Sequence, residues 1–207
     1  MYISDATETG GVYTKAELTA LSDFCRSHGL LLFLDGARLG AAFAAESSDL
    51  TLPDLARLTD AFYIGGTKNG ALMGEALVIV APALQEGFFR FKKQRGAVLA
   101  KGWLLGLQFQ TLLEDGLYWT IARHAVDMAQ ALKTGLEALG LPMAPRSASN
   151  MVFPVVPDRL LPVLDKLCTY EVWTRQDADH TVVRLVTSFA TRSADVEGFL
   201  SDLKAAL

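Results

Sequence analysis

The segment "AFYIGGTKNGALMGEALVIVAP" (residues 61–82) contains two short apolar runs around a glycine-rich stretch that carries one lysine, Lys68. The runs at 61–66 and 75–82 are the length of buried strands and contain β-branched and aromatic residues. Lysine is rarely buried, because removing water from an ammonium group is costly. The segment therefore predicts two strands and raises the question of what Lys68 does between them.

The rest of the chain extends this alternation of strands and helices. Another apolar run, "LLLFL" (30–34), predicts a strand buried on both faces. Helices are predicted between and after the strands: from a capping box of Thr14 and Glu17, around Pro53 with Thr51 and Asp54, over 84–113, and over 117–139. This pattern is typical of an α/β fold with a largely parallel sheet.

The pattern changes after residue 139. The connector "LGLPMAPRS" (139–147) carries two prolines and a glycine, and shorter strands and two helices follow it. We therefore divide the chain into a large α/β unit (1–115), a connecting helix and linker (116–145) and a small α+β unit (146–207).

Composition excludes several classes of protein. The 207 residues are 51% apolar and 20% charged, which is globular composition, and the net charge of −4 gives no reason to expect nucleic acid or an anionic membrane as a partner. Cys25 and Cys168 lie far apart without metal-ligand spacing, so we predict no metal site. We expect both cysteines to be free thiols in a reducing cytoplasm. The start, "MYISDATETG", shows no signal peptide, and the longest apolar runs are too short to span a bilayer.

Asp35 and Arg38 directly follow the strand at 30–34. Open α/β sheets bind ligands beyond the carboxyl ends of their strands, where these two side chains are expected. The residues alone leave a second interpretation open, in which Asp35 caps the next helix and Arg38 pairs with it.

Lys68 follows the next strand, one crossover later, and is expected at the same edge of the sheet. Glycines at 65, 66, 70 and 74 remove side-chain bulk around it. The order Thr-Lys-Asn excludes a Walker phosphate loop, which requires Gly-Lys-Ser/Thr. A surface-loop lysine stays possible, but the pattern favours an amine that acts chemically.

An amine, a carboxylate and an arginine at one sheet edge suit pyridoxal 5'-phosphate. That cofactor needs a lysine to hold its aldehyde as a Schiff base and an acid to keep its pyridine nitrogen protonated. An arginine is then wanted to bind a substrate carboxylate in a bidentate fork. Arg184, on a probable strand of the small unit, is a candidate, with a strand-surface arginine as the alternative.

Four segments together resemble one enzyme family. They are "YISDATETGGVYTKAEL" (2–18), "LFLDGARLGAA" (32–42), "FYIGGTKNGALMGEALVI" (62–79) and "VRLVTSFAT" (183–191). In order and spacing they look like the threonine aldolase / aromatic amino acid β-eliminating lyase family of fold-type I pyridoxal-phosphate enzymes. The resemblance implies an aspartate aminotransferase-type large domain followed by a small α+β domain.

The resemblance also implies a role for each candidate residue. Lys68 would carry the cofactor, Asp35 would pair with its pyridine nitrogen, and Arg38 would lie in the active site near cofactor and substrate. Arg184 would bind the substrate carboxylate. Thr67 would either contact the cofactor phosphate or shape the loop.

The implied reaction is the retro-aldol cleavage of L-threonine, L-allo-threonine or a related β-hydroxy-α-amino acid to glycine and an aldehyde. The alternatives are β-elimination from an aromatic amino acid, or a non-catalytic fragment. Family members are longer, so we expect 1–115 to be a partial large domain that lacks the first strands and a phosphate-binding turn. A homo-oligomer, dimer or tetramer, is implied too, and "RFKKQRG" (90–96) would either face a neighbouring site or form a solvated helix face.

Overall fold

The computed structural model describes residues 1–207 and contains two separate sheets. The first sheet has four strands: β1 (Tyr2–Ser4), β2 (Phe33–Asp35), β3 (Ala61–Ile64) and β4 (Ala76–Ile79). The first three strands are parallel and adjacent in chain order, and β4 pairs antiparallel with β3. The predicted α/β architecture with a mainly parallel sheet is confirmed.

The direction of β4 follows from the length of its connection. A parallel neighbour needs a crossover of about a dozen residues or more, usually through a helix. The segment 65–75 between β3 and β4 is shorter and forms only a 3-10 turn at Thr67–Asn69. The chain therefore reverses at the sheet edge, and this reversal carries Lys68.

The strand predicted over 30–34 begins later, at Phe33. Leu30 and Leu31 are 43% and 48% exposed, so the prediction of a strand buried on both faces is wrong for these two residues. The Leu30 N–H donates to the Cys25 carbonyl at 2.8 Å, which keeps Leu30 in the turn that ends the preceding helix.

Helices cover both units. They are α1 (Lys15–Ser27), α2 (Leu39–Ala44), α3 (Leu52–Leu58), α4 (Pro82–Gln85), α5 (Phe88–Gln94), α6 (Trp103–Glu114), α7 (Leu117–Ala138), α8 (Leu161–Leu167) and α9 (Ser193–Ala206). The predicted capping box of Thr14 starts α1, and the helix predicted around Pro53 is α3, which a capping box of Thr51 and Asp54 starts. The single helix predicted over 84–113 is instead three, because Gly87 and Gly96 have φ angles of 70° and 71°, which a right-handed helix does not allow. No helix combines the length and apolar composition that crossing a bilayer requires.

The second sheet is antiparallel and centred on its longest strand. Its strands are β5 (Met151–Val152), β6 (Val155–Pro157), β7 (Glu171–Arg175) and β8 (His180–Val186), and β8 pairs with each of the other three. A core cluster joins this sheet to α7, α8 and α9 through Val183, Leu136, Leu164 and Leu203.

The long helix α7 contributes to both units. Its first turn places Tyr118 in the core of the first sheet, and its later turns place Ala129 and Leu136 in the core of the second. Between them, Ala122 and Val126 pack on the alanines of α2. The division at 1–115, 116–145 and 146–207 is kept as a proposal, and the two separate cores support it.

Candidate active site

Asp35 is the last residue of β2, in register with Ser4 at the end of β1. Its Oδ1 accepts a hydrogen bond from the Ala37 N–H at 2.9 Å, and its Oδ2 accepts one from the Tyr2 hydroxyl. Stacked rings of Tyr2 and Phe33, with centroids 5.7 Å apart, lie beside it. Asp35 is thus fixed at the carboxyl edge of the parallel strands.

The pKa of Asp35 lies below its usual value. Burial alone raises that pKa, but the hydroxyls of Tyr2 and Tyr63, the Ala37 N–H and the positive charge of Lys68 together lower it by more. Asp35 is therefore a carboxylate at neutral pH.

Asp35 does not cap α2, and it makes no ion pair with Arg38. The N-cap position of α2 is Arg38 itself, without a side-chain capping bond. Asp35 instead closes the short turn before the helix by accepting from Ala37. The capping interpretation of Asp35 and Arg38 is wrong.

Two glycines bring the Asp35 loop and the Lys68 loop together. The Gly65 N–H donates to the Gly36 carbonyl at 2.9 Å. A Cβ on Gly65 would lie 2.3 Å from the Ala37 carbonyl oxygen, and one on Gly36 would lie 1.9 Å from the Tyr63 carbonyl oxygen. These glycines therefore allow two backbones to touch, a different reason from the expected room around the lysine.

The Lys68 turn is anchored at both ends by side chains. Glu75 accepts from the Gly66 N–H at 2.5 Å and from the Thr67 hydroxyl at 3.3 Å. Asn69 donates to the Tyr118 carbonyl at 2.8 Å. Lys68 itself is exposed, so its amine is free to react in a loop that is held in place.

Tyr118 also fixes the start of that loop. It is fully buried, and its hydroxyl donates to the Gly65 carbonyl at 2.8 Å. Burial raises the pKa of this phenol well above its usual value, so the hydroxyl stays protonated and remains a donor. The first turn of α7 therefore clamps the lysine loop.

Arg184 lies on β8 of the small unit. Its side chain is 16% exposed, its guanidinium carbon lies 5.6 Å from the centre of the Trp173 ring, and it pairs with Glu171. Its Nε atom is buried and has no hydrogen-bond partner. The alternative of a strand-surface arginine does not fit this burial.

Arg38 and Arg184 lie near each other. Burial lowers the pKa of Arg38, and the charge of Arg184 lowers it further, while Glu8 and Glu171 act in the opposite direction. Charges of both units therefore act on Arg38.

A small pocket between the units is lined by Arg38, Lys68 and Asn150, among others. Asn150 is 6% exposed, and its amide donates to the Thr187 carbonyl at 2.6 Å. That bond fixes the orientation of the amide and leaves Oδ1 buried without a partner. An unpaired acceptor and the unpaired Nε of Arg184 are groups that a bound ligand could satisfy.

Sequence reasoning missed Glu75, Tyr118 and Asn150. Glu75 had one local signal, a carboxylate between Gly74 and an apolar strand. The other two act through partners far along the chain, which no local pattern reveals.

The site offers an exposed amine and an arginine at one pocket, an ionised carboxylate at the same sheet edge, and a second arginine on the small unit. The mainly parallel sheet, followed by the small antiparallel unit, is the architecture of the fold-type I pyridoxal-phosphate enzymes. The chain belongs to the beta-eliminating lyase family, whose family model matches residues 1–159.

Similar proteins agree with this assignment. A low specificity L-threonine aldolase of Pseudomonas sp. (strain NCIMB 10558) is 38% identical over 135 residues, which are 64% of this chain and 38% of that relative. The structure of Leishmania major threonine aldolase is similar over 99% of this chain and 60% of that one, with 45% identity and a TM-score of 0.96. The structure of an aromatic aminotransferase from Pyrococcus horikoshii is similar over 100% of this chain and 58% of the aminotransferase chain, with 17% identity and a TM-score of 0.67. At that identity the similarity shows the fold alone. The chain spans 38% of the length of the curated relative it matches.

Proposed function

We propose that this chain carries the catalytic lysine of a pyridoxal-phosphate-dependent lyase of the threonine aldolase type. One observation carries the proposal: the loops of Asp35 and Lys68 touch through the Gly65–Gly36 hydrogen bond of 2.9 Å, with Arg38 at the same pocket as Lys68. The similarity to two threonine aldolases supports the reaction class.

The residues present fit the aldehyde and the pyridine nitrogen of the cofactor. The exposed amine of Lys68 would hold its aldehyde, and the Asp35 carboxylate, which the low pKa keeps ionised, would pair with the protonated pyridine nitrogen. Arg38 would lie beside the cofactor, and the Thr67 hydroxyl, which already binds Glu75, would help to shape the loop. When bound, pyridoxal phosphate supplies an electron sink for the bond that is cleaved at the substrate α-carbon.

The substrate would be an amino acid with a free carboxylate and a β-hydroxyl group, such as L-threonine or L-allo-threonine. Arg184, with Arg38 near it, would bind the carboxylate through charge-assisted hydrogen bonds. Cleavage between the α- and β-carbons would release glycine and an aldehyde. The names of the similar proteins favour this reaction over β-elimination from an aromatic amino acid.

The proposed reaction is tested by replacing the lysine. We expect Lys68→Ala to abolish glycine formation from L-threonine, because no other residue would hold the cofactor aldehyde. Lys204→Ala, which removes an equal charge on the exposed side of α9, is the control and should keep wild-type activity. Near wild-type activity in Lys68→Ala would show that another lysine is used.

We also propose that the chain forms a homo-oligomer. Large apolar side chains lie exposed on α5, α6 and the turn after Lys68; they are Leu72, Met73, Phe89, Phe91, Trp103, Leu104 and Leu107. Such a surface is larger than single exposed residues account for and fits contact between copies. A cytoplasmic location stays a prediction, supported by the two free thiols of Cys25 and Cys168.

A further inference from the structure

The partner of Arg184 is a carboxylate of the protein itself. Glu171 on β7 lies directly opposite Arg184 on β8 in the strand register. Its Oε2 accepts a hydrogen bond from Nη2 of Arg184, the kind of contact that an arginine makes with a bound carboxylate. The Nε donor of the same guanidinium stays unpaired.

The two partners differ in how firmly they are held. The Arg184 side chain is 16% exposed and lies against the Trp173 ring, whereas the Glu171 side chain is 66% exposed. A glutamate so exposed can turn into water at little cost, because water solvates its charge. The arginine would keep its place while the glutamate leaves.

The surrounding charges favour such an exchange. Arg38 lines the pocket, and the charges of Arg184, Glu8 and Glu171 act on it. A substrate carboxylate arriving at Arg184 would meet the negative charge of Glu171 at the donor it needs. The carboxylates of Glu171 and of the substrate would repel each other if both accepted a hydrogen bond from that Nη2 donor.

We propose that Glu171 is a positioning residue that occupies Arg184 when substrate is absent and is displaced by the carboxylate of the amino acid substrate. This proposal rests on the proposed function, because it takes Arg184 as the carboxylate-binding residue. Glu171 then weakens substrate binding and takes no part in bond cleavage. It also keeps a buried guanidinium paired between turnovers.

The test is Glu171→Gln in the cofactor-loaded full chain with L-threonine as substrate. We expect KM to fall by about two- to fivefold, the range of an exposed ion pair, with kcat unchanged. Glu197→Gln, which makes the same charge change at an exposed position of α9, should leave KM unaltered. An unchanged or higher KM in Glu171→Gln would overturn the proposal.

A binding measurement separates this proposal from the proposed function. Trp173 lies beside Arg184, so its fluorescence can report glycine binding in a chain with Trp103→Phe and Trp119→Phe. Tighter glycine binding in Glu171→Gln than in its parent supports the displacement, and equal or weaker binding overturns it. If no variant cleaves L-threonine, the proposed reaction fails, and this titration still decides the role of Glu171.

Discussion

Asp5 and Asp35 show how position decides the charge of a carboxyl group. The two residues lie at the carboxyl ends of neighbouring strands, joined by a hydrogen bond of 2.9 Å from the Asp5 N–H to the Asp35 carbonyl. Hydroxyl donors and a nearby lysine keep the pKa of Asp35 low. Asp5 is 1% exposed, its Oδ1 has no partner, and burial raises its pKa to about 7. One site edge therefore holds an ionised carboxylate and one that resists ionisation.

Asp5 makes stability depend on pH. Its pKa is higher in the folded chain, about 7, than in the unfolded chain, near 3.8, so the protonated group contributes stability to the fold. This contribution is complete below pH 3.8 and is lost as the pH rises through about 7. Asp5→Asn removes the ionisable group, so the variant should gain stability relative to wild type between these pH values, by up to about 4 kcal/mol at pH 8. Denaturant unfolding at about pH 4.5, 6 and 8, two values inside this window and one above it, measures the difference. A difference that is constant with pH would contradict the raised pKa.

At the scale of elements, contacts between loops hold the site together. The turn after β2 and the turn after β3 touch through glycines, and α7 clamps the second turn through Tyr118. Gly65 is the position where a side chain is least tolerable, since its Cβ would meet the Ala37 carbonyl oxygen at 2.3 Å.

Gly65→Ala should therefore separate the two loops and reduce cofactor capture by Lys68. We expect a loss of about tenfold or more, the loss of affinity that follows when the supporting contacts of a binding site are removed. The matched control is Gly198→Ala on α9, where a Cβ meets nothing within 4 Å. Absorbance of the bound cofactor after gel filtration measures capture in both variants. Equal capture would show that contact between the loops is not required.

Local sequence signals account for the elements and for the sheet edge. Thr14 and Thr51 mark helix starts because a capping box involves residues three apart, and the strands around Lys68 follow from short apolar runs. The antiparallel β4 and the breaks at Gly87 and Gly96 depend on loop length and glycine conformation, which the apolar pattern does not carry.

The site was less predictable than the fold. The position of Lys68 and Asp35 follows from strand ends, but the Tyr118–Gly65 bond, the Glu75 anchor and the pairing of Arg184 with Glu171 join residues that only the fold brings together. The roles of Lys68 and Asp35 in catalysis stay predictions until tested.

At the scale of the molecule, one face is too apolar to be exposed as it stands. α5 buries none of its residues and α6 buries only Leu112, although both helices are rich in leucine and aromatic residues. Burying such side chains is favourable by about 1.5–3 kcal/mol each, so contact with another copy is expected.

Leu107→Glu, on the exposed surface of α6, should shift the chain from an oligomer toward a monomer, because a charge there would be buried without a partner in the oligomer. Leu207→Glu makes the same change at an exposed apolar residue of the C-terminus and should leave the oligomeric state unchanged. Light scattering coupled to size-exclusion chromatography gives the molar mass of each. A wild-type chain that is monomeric would contradict the proposed oligomer.

The most direct test of the central claim, that Lys68 is the residue that binds pyridoxal phosphate, is borohydride reduction of the chain incubated with the cofactor, followed by peptide mass mapping. We expect a pyridoxyl adduct on Lys68 and none on Lys101 or Lys204, two exposed lysines of the same chain. A folded chain with no adduct on Lys68, or with adducts spread evenly over its exposed lysines, would contradict it.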